Sequence, residues 1–148
     1  MLFRSARRLG VDDVVRTFAP VPYLISLGLQ KAADTLLLLL WDSPQEKSVL
    51  TGKLFEYVGA GRPILSLGCE DGAAGSLVRE RGLGLATSNV DAVCSYLLKT
   101  AAAKARSGAA RPARGADAIM GLSRREQFRA LERFLGAHGL LVERATAK

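Results

Sequence analysis

The chain has 148 residues, 49% of them hydrophobic, which is enough for a buried core and argues against disorder. Two cysteines, Cys69 and Cys94, and one histidine, His138, exclude a disulfide framework and fall short of the roughly four ligands of a Cys/His zinc site. The net charge of +7 lies wholly in the last third: ten basic and ten acidic residues precede residue 99, and from residue 99 onward there are eleven basic against four acidic.

A basic tail suits nucleic acid, anionic lipid or solubility, and a solvated arginine-rich helix and linker is the plainest reading of it. The longest apolar run, residues 36–41, is six residues, against about 20 for a bilayer span. Residues 1–5 are too short and too charged for a signal peptide. The expected compartment is therefore cytoplasmic.

Residues 6–10 read as a helix end closed by Gly10. Val14, Val15 and Phe18 around Arg16 and Thr17 read as a short strand, and Pro20 and Pro22 mark a loop. Leu24, Leu27, Ala32 and Ala33 predict a helix over 23–33. The five leucines 36–40, bounded by Asp42-Ser43-Pro44, fit a strand buried on both faces. Leu54, Phe55 and Val58 predict a helix over 53–59. A strand over 63–67 follows, then a helix over 73–81 ending at Gly82, a strand over 83–87, and a helix over 91–104 capped by Asn89 or Asp91. Residues 107–122 read as a linker or loop. Ser123 and Glu126 form a capping box that opens a last helix, followed by a tail to residue 148. Phe128, Leu131, Phe134 and Leu135 form an apolar stripe that should pack on something.

Alternating helices and short buried strands predict an α/β fold, with a parallel sheet covered on both faces and right-handed crossovers. The expected organisation is a Rossmann-like domain over 1–106, a linker over 107–122, and a helix with a tail over 123–148.

Three familiar motifs fail. A phosphate loop ending at Gly52-Lys53 needs glycine at Lys47 and Ser or Thr at Leu54. The dinucleotide fingerprint needs glycine at Ile64 or Thr87. Gly121-Leu122-Ser123 is followed by arginines, so it is no nucleophile elbow. What remains is the stretch from Thr51-Gly52-Lys53 to Glu56, and on to Gly59-Ala60-Gly61-Arg62-Pro63. It follows a buried strand and opens a helix at the carboxyl end of a parallel sheet, where open α/β folds bind ligands. Helix-start amides suit a phosphate. Lys53 runs against the dipole preference, which a bound anion would explain. Glu56, one turn on, is placed to accept from sugar hydroxyls. The plain alternative is that Lys53 and Glu56 pair on a solvated surface.

The run Gly52-Lys53-Leu54-Phe55-Glu56-Tyr57, then Gly59-Ala60-Gly61-Arg62-Pro63-Ile64, resembles the donor-site segment of GT-B glycosyltransferases, particularly glycosyltransferase family 4. Ala32-Ala33-Asp34 before the leucine run, and Arg81-Gly82-Leu83-Gly84, resemble the flanking elements. The resemblance covers about residues 6–98. It implies a nucleotide-diphosphate-sugar donor, sugar transfer with retention, and no metal or other cofactor. Glu56 matches the glutamate that holds the ribose hydroxyls, and Thr51, Gly52 and Lys53 match the segment near the diphosphate, where a lysine offsets leaving-group charge. Many members carry a second glutamate eight positions earlier, where this chain has Ser48. Sugar contacts would then come from the backbone of residues 48–52.

The resemblance also implies what the chain does not contain. The acceptor domain and the first strand of the donor domain are missing, so the expected object is the C-terminal half of a GT-B fold with an extra C-terminal helix. Residues 2–5, Leu-Phe-Arg-Ser, match one translation of a common sequencing-adapter end, so a truncated, inactive fragment is expected. The acceptor would be a sugar, a lipid-linked sugar or a small molecule, with peripheral membrane contact open through the last helix. Two other functions compete. A binder of nucleic acid or anionic surfaces would use the basic tail, but that tail offers only Phe128 and Phe134 for stacking. A receiver-like regulatory domain would want an acidic cluster, and Asp34 and Asp42 make none.

Overall fold

The structure, a computed structural model, describes residues 2–108 and 116–140. Its centre is a parallel sheet of three strands, β1 (Leu36–Leu39), β2 (Ile64–Leu67) and β3 (Gly84–Ala86), in the order β1-β2-β3. Leu36 pairs with Ile64, and Ile64 with Gly84. Helix α1 (Leu2–Arg8) and helix α2 (Tyr23–Ala32) precede the sheet; α3 (Gly52–Ala60) joins β1 to β2 and α4 (Ala73–Glu80) joins β2 to β3. Helix α5 (Val90–Ser107) and helix α6 (Arg124–Ala137) follow. This is an α/β fold with flanking helices in a Rossmann-like arrangement, as the alternation of short apolar runs and helical spacings predicts.

Side-chain alternation sorts the strands into two faces. On one face Leu38, Ile64 and Ala86 meet Leu54 and Val58 of α3 and Ala74 and Val78 of α4, and this cluster is the core. Both crossover helices therefore lie on the same side of the sheet, as two right-handed crossovers stepping in one direction require. The other face carries Leu65, buried in the central strand, and Leu37 and Leu39 on the outer strand, which are 49% and 64% exposed. Helix α5 returns to the entrance of β1, where Lys104 Nζ meets Asp34 Oδ2 at 2.5 Å.

Local signals explain most boundaries. Asn89 caps α5 by accepting from the Ala92 N–H at 2.9 Å. Ser123 and Glu126 make the reciprocal capping box that starts α6. His138 closes that helix, with Nδ1 2.8 Å from the Phe134 carbonyl oxygen. Gly84 is required by closeness: with φ +156, a Cβ there would lie 2.0 Å from the Ile64 carbonyl oxygen.

Three expectations are corrected. The leucine strand at 36–40 is not buried on both faces: Leu36 and Leu38 are buried but Leu37 and Leu39 are exposed, because β1 is an outer strand and both crossover helices pack on its other face. Residues 14–18 form no strand; Val14 and Phe18 are exposed, and the ladder offers them no neighbour. Alternation makes a strand only when an edge is there to pair with, and Pro20 and Pro22 hold the following backbone in an extended loop. The stripe of α6 is also not packed: Phe128, Leu131 and Phe134 are exposed and Leu135 is half-buried. Leu122, just before the helix, packs against the core, and the first turn of the helix lines a groove. Of the stretch read as linker or loop, residues 116–119 form a 3-10 turn whose Ala118 is buried in the core; residues 109–115, like the tail 141–148, lie outside the described residues. No helix among the described residues is long and apolar enough to cross a membrane.

Candidate functional site

Helix α3 organises the site. Thr51 stands at its N-cap, and its Oγ1 accepts from the Leu54 N–H at 3.3 Å. Gly61 ends it in the left-handed conformation, φ +68. Leu54 and Val58, four apart, face the sheet. That leaves Gly52, Phe55, Glu56 and Gly59 on the opposite face, lining a groove of about 810 Å³. Its other walls are Tyr23, Leu27 and Lys31 of α2, and Ser123, Arg124 and Gln127 at the start of α6.

A second, smaller cavity of about 140 Å³ sits at the carboxyl ends of β1 and β2, lined by Leu40, Trp41, Thr51, Cys69 and Gly72. This is the crevice position at which open α/β sheets bind ligands. The start of α4 beside it is already engaged: the Ala73 N–H donates to the Lys47 carbonyl at 2.6 Å. A Cβ on Gly72 would come within 3.1 Å of both Cys69 Sγ and that same carbonyl oxygen, so the loop 43–50 is held tightly against α4.

The five residues singled out from sequence are thus divided. Gly52 and Glu56 line the groove, and Thr51 lines the strand-end crevice. Ser48 and Lys53 are exposed and line neither cavity. Glu56 does not pair with Lys53 among the described residues. Its Oε2 instead accepts from Gln30 Nε2 of α2 at 3.2 Å. Tyr57, its neighbour, donates its hydroxyl to the Leu37 carbonyl at 3.3 Å. Burial raises the Tyr57 pKa above its ordinary value, and the negative charge of Glu56 adds to the effect.

Three residues around these cavities carried no signal in the sequence. Gln30 and Lys31 fall in an unremarkable helical stretch, and only folding sets α2 beside α3. Arg124 reads as one of several arginines on a solvated helix, yet it is the one at the groove wall. Glu70 is a fourth case on the far side of the sheet end. Its Oε1 accepts from the Ser88 N–H and, at 3.4 Å, from Thr87 Oγ1, and so ties the exit of β3 to the exit of β2. Among the described residues no group of His, Cys, Asp and Glu could hold a metal ion.

Comparison with protein-family models, curated proteins and solved structures returns no significant match for this chain. The structure by itself shows an α/β arrangement with a three-stranded parallel sheet and flanking helices.

Proposed function

We propose that this chain is the donor-binding part of a glycosyltransferase, which moves a sugar from a nucleotide-diphosphate sugar to an acceptor with retention of configuration. The observation that carries the reading is the position of one segment. Thr51-Gly52-Lys53 opens α3 within the connection that leads from β1 to β2 of a parallel sheet, and Glu56 one turn later lies on the wall of the groove of about 810 Å³. Helix-start amides at that end of a sheet favour phosphate. A half-buried carboxylate beside them suits ribose hydroxyls. The likeness of Gly52 to Ile64 to the donor segment of family 4 enzymes adds to this reading. On it, the acceptor is held by a second domain, and no metal takes part.

Calorimetric titration of the chain with UDP- and GDP-sugars tests the proposal. Binding that disappears in Glu56→Ala supports it. Salt-sensitive binding to DNA with no response to any nucleotide sinks it and returns the basic tail to the foreground.

A further inference from the structure

We infer that the open edge of β1 pairs with β1 of a second copy of this chain, antiparallel and centred on Leu38. The two sheets then join into one, in the strand order β3-β2-β1-β1-β2-β3. The inference does not depend on the glycosyltransferase reading. β1 is an outer strand: β2 covers one of its edges, and among the described residues no strand covers the other. Leu36 donates to the Pro63 carbonyl at 2.9 Å and Leu40 to the Leu67 carbonyl at 2.8 Å, so Leu36, Leu38 and Leu40 turn their backbone polar groups to β2. Leu37 and Leu39 turn theirs outward. Of those outward N–H and carbonyl groups, among the described residues only the Leu37 carbonyl has a partner, the Tyr57 hydroxyl at 3.3 Å.

This edge is complementary to itself. A two-fold axis at Leu38 sets Leu37 opposite Leu39 of the second copy, and Leu39 opposite Leu37 of the second copy. Each such pair exchanges two N–H···O bonds, so the outward groups of both strands satisfy one another. The axis runs perpendicular to the sheet, which keeps the core faces on one side. On the other side Leu37 and Leu39, 49% and 64% exposed, meet the same leucines of the second copy as cross-strand neighbours. Residues 35–41 contain no charge and no proline, the devices that hold edges apart. Just beyond them Asp42 of the second copy falls opposite Asp34, whose charge Lys104 offsets at 2.5 Å. The register that matches the polar groups is thus the one that also pairs leucine with leucine, and this self-complementarity selects a second copy as the occupant.

The test uses the full chain in sedimentation velocity across a range of concentrations. Trp41, the only tryptophan, is 80% exposed at the exit of β1 and falls opposite Thr35 of the second copy, so its emission should move to shorter wavelength as the dimer forms. Leu39→Pro removes an outward N–H while leaving the bonds to β2, and so takes two of the four new bonds; it should weaken the dimer at least about tenfold. Circular dichroism checks its folding, and Leu37→Lys, at an exposed side chain, supplies the same reading should the proline unfold the strand. Register is read by cross-linking in a Cys94→Ser background, since Cys94 is exposed and Cys69 is buried. Leu37→Cys mixed with Leu39→Cys should form a disulfide faster than either variant alone, because only the mixture puts two cysteines directly opposite each other. A chain that stays monomeric, a dimer that Leu39→Pro and Leu37→Lys leave unchanged, or a single cysteine variant that cross-links faster than the mixture overturns the inference. Nucleotide-sugar binding is measured separately, and its presence or absence leaves this result standing.

Discussion

Gln30 Nε2 of α2 donates to Glu56 Oε2 of α3 at 3.2 Å, across 26 residues of sequence. The carboxylate proposed to meet the ribose is therefore oriented by a helix that lies outside the segment on which the sequence reading rests. Only Oε2 is engaged among the described residues, so the second oxygen is left for a ligand hydroxyl.

This orientation is measurable. Glu56→Ala should weaken nucleotide-sugar binding at least about tenfold, as loss of a charged hydrogen-bond acceptor does. Gln30→Ala should weaken it about threefold, since the acceptor survives but is no longer held. Titration of both variants decides the matter. An affinity for Gln30→Ala equal to that of the unmodified chain would show that α2 does not position the carboxylate.

Glycines in this chain divide sharply in what they tolerate. Gly84→Ala puts a Cβ 2.0 Å from the Ile64 carbonyl oxygen at a φ of +156, and β3 must leave its place beside β2. The expected loss is on the order of 4 kcal/mol, at the upper end for point substitutions. Gly28→Ala lies within α2 with nothing within 4 Å of the new methyl group, and should stabilise the protein by about 0.5–1 kcal/mol. Urea denaturation of the two variants should move the midpoint in opposite directions.

The start of α6 should be acid-sensitive. The Ser123 hydroxyl, followed by the N–H groups of Gly121 and Ser123, donates to the Glu126 carboxylate and holds its pKa below the ordinary 4.5. A carboxyl group whose folded pKa is depressed contributes fully above its unfolded value and loses that contribution as pH falls through the folded one. Helix content should therefore fall as pH drops below 4.5 in the unmodified chain. In Glu126→Gln this acid-dependent part should be absent, with lower helix content already at neutral pH. Circular dichroism across the acid range checks both statements.

The outer strand predicts self-association. Leu36 and Leu40 donate their N–H groups into β2, so the alternate residues Leu37 and Leu39 turn their backbone to the open edge. No charge or proline interrupts the strand, and edges of this kind pair with other chains. Leu37→Lys should lower concentration-dependent association, read by sedimentation velocity. An unmodified chain that stays monomeric across the range would show that the Tyr57 hydroxyl on the Leu37 carbonyl protects the edge well enough.

Much of the fold is legible in the residue pattern, because local chemistry decides it. Asn89, Ser123 with Glu126, and His138 mark helix ends through hydrogen bonds that span no more than four residues. The apolar runs 36–40 and 63–67 are too short for helices and too apolar for loops, so strands of a parallel sheet follow from them, although β1 is buried on one face only. Residues 14–18 mislead for the complementary reason: their alternation is genuine, but a strand needs a neighbour that no local signal reports.

The candidate site is legible only in half. Gly52 and Glu56 are placed on the groove wall by helical spacing alone, since Leu54 and Val58 must face the sheet. That Glu56 meets Gln30 rather than Lys53, and that Lys31 and Arg124 stand on the same groove, is decided by how α2 and α6 lie against α3. Gln30 and Glu56 are 26 positions apart, and Arg124 lines the groove with α3 residues more than 60 positions before it. The charge count of +7 carries no trace of them. It locates an excess in the last third of the chain, whereas the groove draws one cation from that third and the other from the neutral part. Composition is a sum over residues, and a binding site depends on which few of them the packing of helices brings together.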